Sequence, residues 1–181
     1  MGTKHNPPIH PETIRMAEYV RAITSAGSVR SVDVEFMSPV QCRERRNNRR
    51  CKGKIKITPR ADVIEYSCTD CGVSGIMTDW RGCDCDLSEF AVTSIDADVL
   101  TLHVSEDEYK ALQEVRMLSY EEGAMIAGAV WTRDGVVLTG SCEALDELAG
   151  NVAFEANHSP GAKRHMVLDG LCEKIERVVE G

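Results

Sequence analysis

Residues 42–85 read CRERRNNRRC, then KGKIKITPRADVIEYS, then CTDC, then GVSGIMTDWRG and CDC. Six of the eight cysteines of this 181-residue chain fall inside that stretch. Cys68 and Cys71 form a CxxC, whose short intervening backbone lets two thiolates reach one ion. Gly72 follows and can take a positive φ beyond the turn. KIKIT (54–58) and VIEYS (63–67) read as strands joined by a turn at Pro59–Asp62, and GVSGIMTDW resumes strand character after the CxxC. Strand, knuckle, strand is the order that a metal ribbon needs.

The second ligand pair has two candidates. Cys42 and Cys51 enclose eight residues, and Cys51 leads straight into the KGKIKI strand. Cys83 and Cys85 make a CxC, a spacing that wraps a single ion less readily. Cys42, Cys51, Cys68 and Cys71 are therefore the expected ligands, because both halves of that site open onto strands. Zn²⁺ is the expected ion, since it takes four tetrahedral ligands and favours thiolate. Reduced thiols without a metal are the competing reading, but strands this short seldom hold together without a staple.

Outward from this stretch, Pro11 suits a helix start. Ile14, Ala17, Val20 and Ile23, with Met16, predict an amphipathic helix ending near Gly27. VDVEF (32–36) alternates and predicts a strand, residues 1–10 read as a loose lead-in, and residues 83–95 read as irregular. DVLTLHV (98–104) predicts another strand. Ser105 with Glu108, and Ser119 with Glu122, are capping boxes, the first opening a helix through about Met117 and the second preceding AMIAGAVW. After an Asp134-Gly135 turn, VVLTG (136–140) predicts a short strand. Ser141 can cap a helix through Ala144, Leu145, Leu148, Val152, Ala153 and Ala156. Ser159-Pro160 ends it, and Leu168, Leu171, Ile175 and Val178 mark a final helix. The expected class is α+β. An N-terminal helix and a zinc-ribbon-like β module span 1–95, and a mostly helical module with one or two short strands spans 96–181.

The net charge of -8 is unevenly spread: residues 41–60 carry nine cations against Glu44 alone, so the rest of the chain sums to -16. RERRNNRR between two ligands suits phosphate contact, with Arg45, Arg46, Arg49 and Arg50 as the contact residues and nucleic acid as the partner of residues 43–60. Two other readings stand beside it. Four thiolates on Zn²⁺ leave a local charge of about -2 that cations offset, and acidic residues of the chain can neutralise the arginines. The acidic remainder and the lack of an aromatic to stack a base tilt the balance towards these. A protein partner is the other class of contact.

An enzyme is the alternative function. Glu155 and His158 stand at i, i+3 near a helix end, with His165 beyond, but a di-iron bundle needs that half-motif twice. A helix-end histidine also satisfies carbonyls. Cys142 falls in the first turn of a helix, where a thiolate is favoured, yet no partner histidine is evident. Cys172, Trp80 and Trp131 read as packing residues. No phosphate-binding glycine loop, nucleophile elbow or HExxH occurs. The first twenty residues show no apolar leader, Asn6 breaks a myristoylation pattern, and no apolar run would span a membrane, so the expected location is the cytoplasm.

The segment CTDCGVSGIMTDWRG also resembles a CxxCGxxGxIxxW pattern of uncharacterised bacterial zinc-ribbon proteins, with Met77 where the pattern has Ile. The long Cys42–Cys51 spacing departs from the usual short first knuckle. In that group the ribbon often continues into a helical part with a stretch like ELAGNVAFEANH (147–158). The resemblance covers about 45 residues and implies a bacterial source and a metal site, with no cysteine required at positions 83 and 85. It implies no reaction.

Overall fold

A computed structural model describes residues 10–91 and 99–181. The class is α+β. The first helix, α1 (Pro11–Ser28), starts with proline in its first turn and leads into β1 (Phe36–Gln41). β4 (Lys54–Pro59), β5 (Ile64–Cys68) and β6 (Ser74–Met77) then complete an antiparallel sheet of order β1-β4-β5-β6. A separate two-stranded ribbon, β2 (Arg45–Arg46) and β3 (Arg49–Arg50), rises between β1 and β4.

The alternation of the KIKIT segment is carried into the fold. Ile55, Ile57 and Pro59 turn inward, and Lys54, Lys56 and Thr58 face outward. Ile55, Ile57 and Ile64 are fully buried against Ile23 and Ala26 of α1. Burying each of these isoleucines is worth about 1.5–3 kcal/mol. Gly27 permits this contact, because a Cβ there would stand 2.8 Å from the Ile64 side chain.

Two expectations for this half need correction. The apolar residues of α1 do not form one buried stripe: Ile14, Met16 and Val20 are exposed, and only the last turns, from Ile23 onward, are covered. The strand expected at 32–36 begins only at Phe36, and Val32 and Val34 are exposed. Pro39 hid the true strand from a pattern reading. It is tolerated because β1 is an edge strand, with a register irregularity between Met37 and Gln41.

The second half holds α2 (Glu106–Gln113), α3 (Tyr120–Ala127), α4 (Cys142–His158) and α5 (Ala162–Val179). Both capping boxes form, with Glu108 and Glu122 each accepting from the N-cap backbone N–H of Ser105 and Ser119. The Ser141 hydroxyl caps α4 through Ala144 N. Among the described residues three strands occur here, where one or two short ones were expected. β7 (Val99–Val104), β8 (Val130–Thr132) and β9 (Gly135–Ser141) form an antiparallel sheet of order β7-β9-β8. α2 ends at Gln113, short of Met117, and α3 ends before Gly128, so Trp131 lies in a strand. Leu102, Leu138, Leu145, Leu148, Leu168, Leu171 and Ile175 make a fully buried core.

The two cores touch. Val130 of β8 packs against the ribbon-side cluster, and the Lys54 ammonium sits 3.9 Å from the Trp131 ring centroid. Lys54 also pairs with Glu106 at 3.3 Å, and Arg30 donates to the carbonyl of Gly128. The boundary expected near residue 96 lies outside the described residues. No helix is long and apolar enough to cross a membrane among the described residues.

Candidate metal centre

The sulfurs of Cys42, Cys51, Cys68 and Cys71 all lie within 4.8 Å of one another. Cys42 and Cys71 are 3.6 Å apart, as are Cys51 and Cys68. A tetrahedral Zn²⁺ with Zn–S bonds of about 2.3 Å has sulfur–sulfur edges of about 3.8 Å. Four thiols and no competing donor make up the set, so donor chemistry and spacing both fit a metal of this kind. Cys83 and Cys85 do not join the group.

The backbone explains the convergence. Cys68 closes β5, and its N–H donates to Val73 O, so the CxxC turn returns directly into β6. Gly72 takes φ 71° just after the turn. On the other side, Cys42 N donates to Gly53 O and Cys51 N donates to Glu44 O. Those bonds draw Cys42 and Cys51 together at the foot of the β2–β3 ribbon. Backbone N–H groups two residues on aim at three sulfurs: Glu44 N at Cys42 (3.5 Å), Gly53 N at Cys51 (3.4 Å) and Asp70 N at Cys68 (3.4 Å). Such donors spread thiolate charge and fix sulfur orientation.

Cys42 and Cys68 are buried, and Cys51 and Cys71 half-buried. Burial pushes the Cys42 thiol well up. Burial also acts upward on Cys68, but the N–H groups of Cys71 and Asp70 and the neighbouring thiols outweigh it and bring Cys68 down to about 7.

The long first knuckle is a β-hairpin. Arg45 pairs with Arg50 and Arg46 with Arg49, around Asn47 (φ 51°) and Asn48 (φ 60°). Two consecutive positive φ values define a type I′ turn, which asparagine tolerates better than most side chains. The sequence expectation for these residues concerns their charge and assigns them no strand. The Asn-Asn pair was the signal available for a hairpin. Opposed positions share a face, so each face of the ribbon carries two guanidinium groups side by side. All four arginines are exposed. Arg46 donates to Cys71 O at 2.6 Å, and none of the four forms an ion pair among the described residues. The neutralisation by acidic side chains expected for them falls instead on Lys54, Lys56 and Arg60, which pair with Glu106, Glu35, Asp33 and Glu65.

The residues of the enzyme alternative do not converge. Glu155 pairs with Arg164 at 3.1 Å. His158 bonds Phe154 O of its own helix at 2.7 Å and stacks on the Phe154 ring. His165 bonds Ala156 O at 2.9 Å and lies 3.1 Å from Asp169. Cys142 is the first residue of α4 and half-buried, and Cys172 packs at the edge of the helical core. Trp80 is buried in the ribbon-side core.

No protein-family model matches this chain, and no curated protein or solved structure does.

Proposed function

We propose that Cys42, Cys51, Cys68 and Cys71 hold one structural Zn²⁺ and that the protein works by contact, presenting its arginine hairpin to nucleic acid. Four protein thiolates fill a tetrahedral shell, so no position stays open for a substrate, which is the pattern of a structural site. The ion would supply folding energy to a sheet of short strands. The protein is then a zinc-ribbon-type binding module, in keeping with the bacterial resemblance of CTDCGVSGIMTDW, rather than an enzyme.

One observation carries the contact reading: four exposed arginines stand in cross-strand pairs on a hairpin anchored by two ligands, with no carboxylate against them among the described residues. Like charges directly opposite are unfavourable until an anion bridges them. Phosphates of a nucleic-acid backbone are the matching anions, since guanidinium binds them bidentately.

Salt dependence of binding tests this. Wild-type protein should bind duplex DNA or RNA at roughly 50 mM salt and lose affinity steeply as salt rises, because each neutralised phosphate on duplex DNA releases roughly 0.9 of a counterion. Replacing Arg45, Arg46, Arg49 and Arg50 with Ser should flatten the slope and leave zinc content unchanged. No binding by the wild type at low salt, or loss of zinc in the quadruple variant, would show that the arginines serve the metal centre or a protein partner instead.

A further inference from the structure

The second cysteine pair is built differently from the first. Trp80 O accepts from Cys83 N at 3.4 Å, and Cys83 O accepts from Asp86 N at 2.9 Å, so two turns run in succession through the CxC. The Asp86 carboxylate fixes them by accepting from Gly82 N at 2.8 Å and Ser88 N at 3.0 Å. The turn is also tied to the end of α1: the Ser25 hydroxyl donates to Cys85 O, and Leu87 N donates to the Ser28 hydroxyl, each at 3.0 Å. This frame brings the Cys83 and Cys85 sulfurs to 2.7 Å, against 3.6 Å for neighbouring sulfurs in the metal cluster. The spacing is most of the way to a bond of about 2.05 Å. Both residues are half-exposed, so a small reagent can reach them.

We propose that Cys83 and Cys85 are a redox modification site: they form a reversible intramolecular disulfide by exchange with a low-molecular-weight disulfide such as oxidised glutathione. In the first step the Cys83 thiol gives its proton to solvent, and its thiolate attacks one sulfur of the reagent. One glutathione thiolate leaves and takes up a proton. In the second step Cys85 loses its proton and attacks the Cys83 sulfur of the mixed disulfide, expelling the second glutathione thiolate. Two S–H bonds and one S–S bond are consumed, and one S–S bond and two glutathione thiols form. Two electrons pass from the cysteine pair to the reagent. The exchange balances in the same way when Cys85 enters first and Cys83 resolves. The site is separate from the metal cluster and independent of the arginine hairpin's role.

The test treats full-length, zinc-loaded protein with oxidised glutathione, quenches with iodoacetamide and reads intact and peptide masses. The expected result is the loss of two alkylatable thiols, a peptide spanning 83–85 lighter by two hydrogens, unchanged zinc and full reversal by dithiothreitol. Cys85→Ser should stop at a mixed disulfide on Cys83, and the double variant Cys83→Ser/Cys85→Ser should keep its zinc and its circular dichroism while losing the reaction. Three results would overturn the proposal. The pair stays alkylatable while the metal-cluster thiols oxidise and release zinc. The wild type accumulates a stable mixed disulfide. Native mass shows a second metal ion that the double variant lacks.

Discussion

Gly53 faces the Cys68 sulfur so closely that a Cβ on residue 53 would stand 2.5 Å from it. The approach follows from the architecture of the site. Gly53 links Cys51 to β4, its N–H points at the Cys51 sulfur, and its carbonyl accepts from Cys42 N. One residue therefore touches both halves of the cluster, and only glycine leaves room for the sulfur.

Gly53→Ala should displace Cys68, lower zinc affinity and destabilise the protein by about 1–3 kcal/mol, as overpacking does. Thermal unfolding with and without a zinc chelator measures both effects. Gly150→Ala is the control: it lies in α4 with nothing within 4 Å of an added Cβ and should gain about 0.5–1 kcal/mol.

Glu108 couples a helix cap to a second helix. It accepts from Ser105 N at 2.6 Å and from Lys174 of α5 at 2.7 Å. Burial acts to raise its pKa, but Lys174 and Ser105 together outweigh it and hold the carboxyl below its ordinary 4.5. The folded state thus binds fewer protons here than the unfolded chain. The stabilisation is complete above pH 4.5 and is lost as the pH falls through the lower folded value. Glu108→Gln keeps the shape of the capping box without the charge. It should cost about 1 kcal/mol at neutral pH and nothing at low pH, seen as a flatter plot of melting temperature against pH.

The capping boxes at Ser105 and Ser119, the Ser141 cap and the β4–β5–β6 meander were all legible in the sequence. Each is a local rule with its partners within a few residues. The cysteine quartet was legible because strand and knuckle spacing constrained it. The β2–β3 ribbon was not, because two-residue strands made only of arginine show no polar–apolar alternation. The strand around Pro39 was hidden by a residue that only an edge position tolerates. The exposed stripe of α1 was misread because periodicity reports a helix and cannot say which turns meet the sheet. Lys54 over Trp131 joins residues 77 positions apart, and no local pattern announces such a contact.

The second half has its own buried core, although it also meets the ribbon side where α3 packs on α1, β8 lies along β1 and Tyr120 stacks on Phe90, and through Lys54, Arg30 and Val130. A fragment of residues 96–181 should therefore remain helical in the presence of chelator, as read by far-ultraviolet circular dichroism. Loss of helix in that fragment, with chelator melting both halves of the full chain together, would show a single shared core.

Native mass spectrometry with colorimetric zinc release shows whether one Zn²⁺ rests on Cys42, Cys51, Cys68 and Cys71. The wild type should carry one zinc per chain. Cys42→Ser, Cys68→Ser and Cys71→Ser should each lose it and unfold the ribbon half, whereas Cys83→Ser and Cys85→Ser should keep it. Full zinc in Cys42→Ser together with zinc loss in Cys83→Ser and Cys85→Ser would place the metal on the other pair.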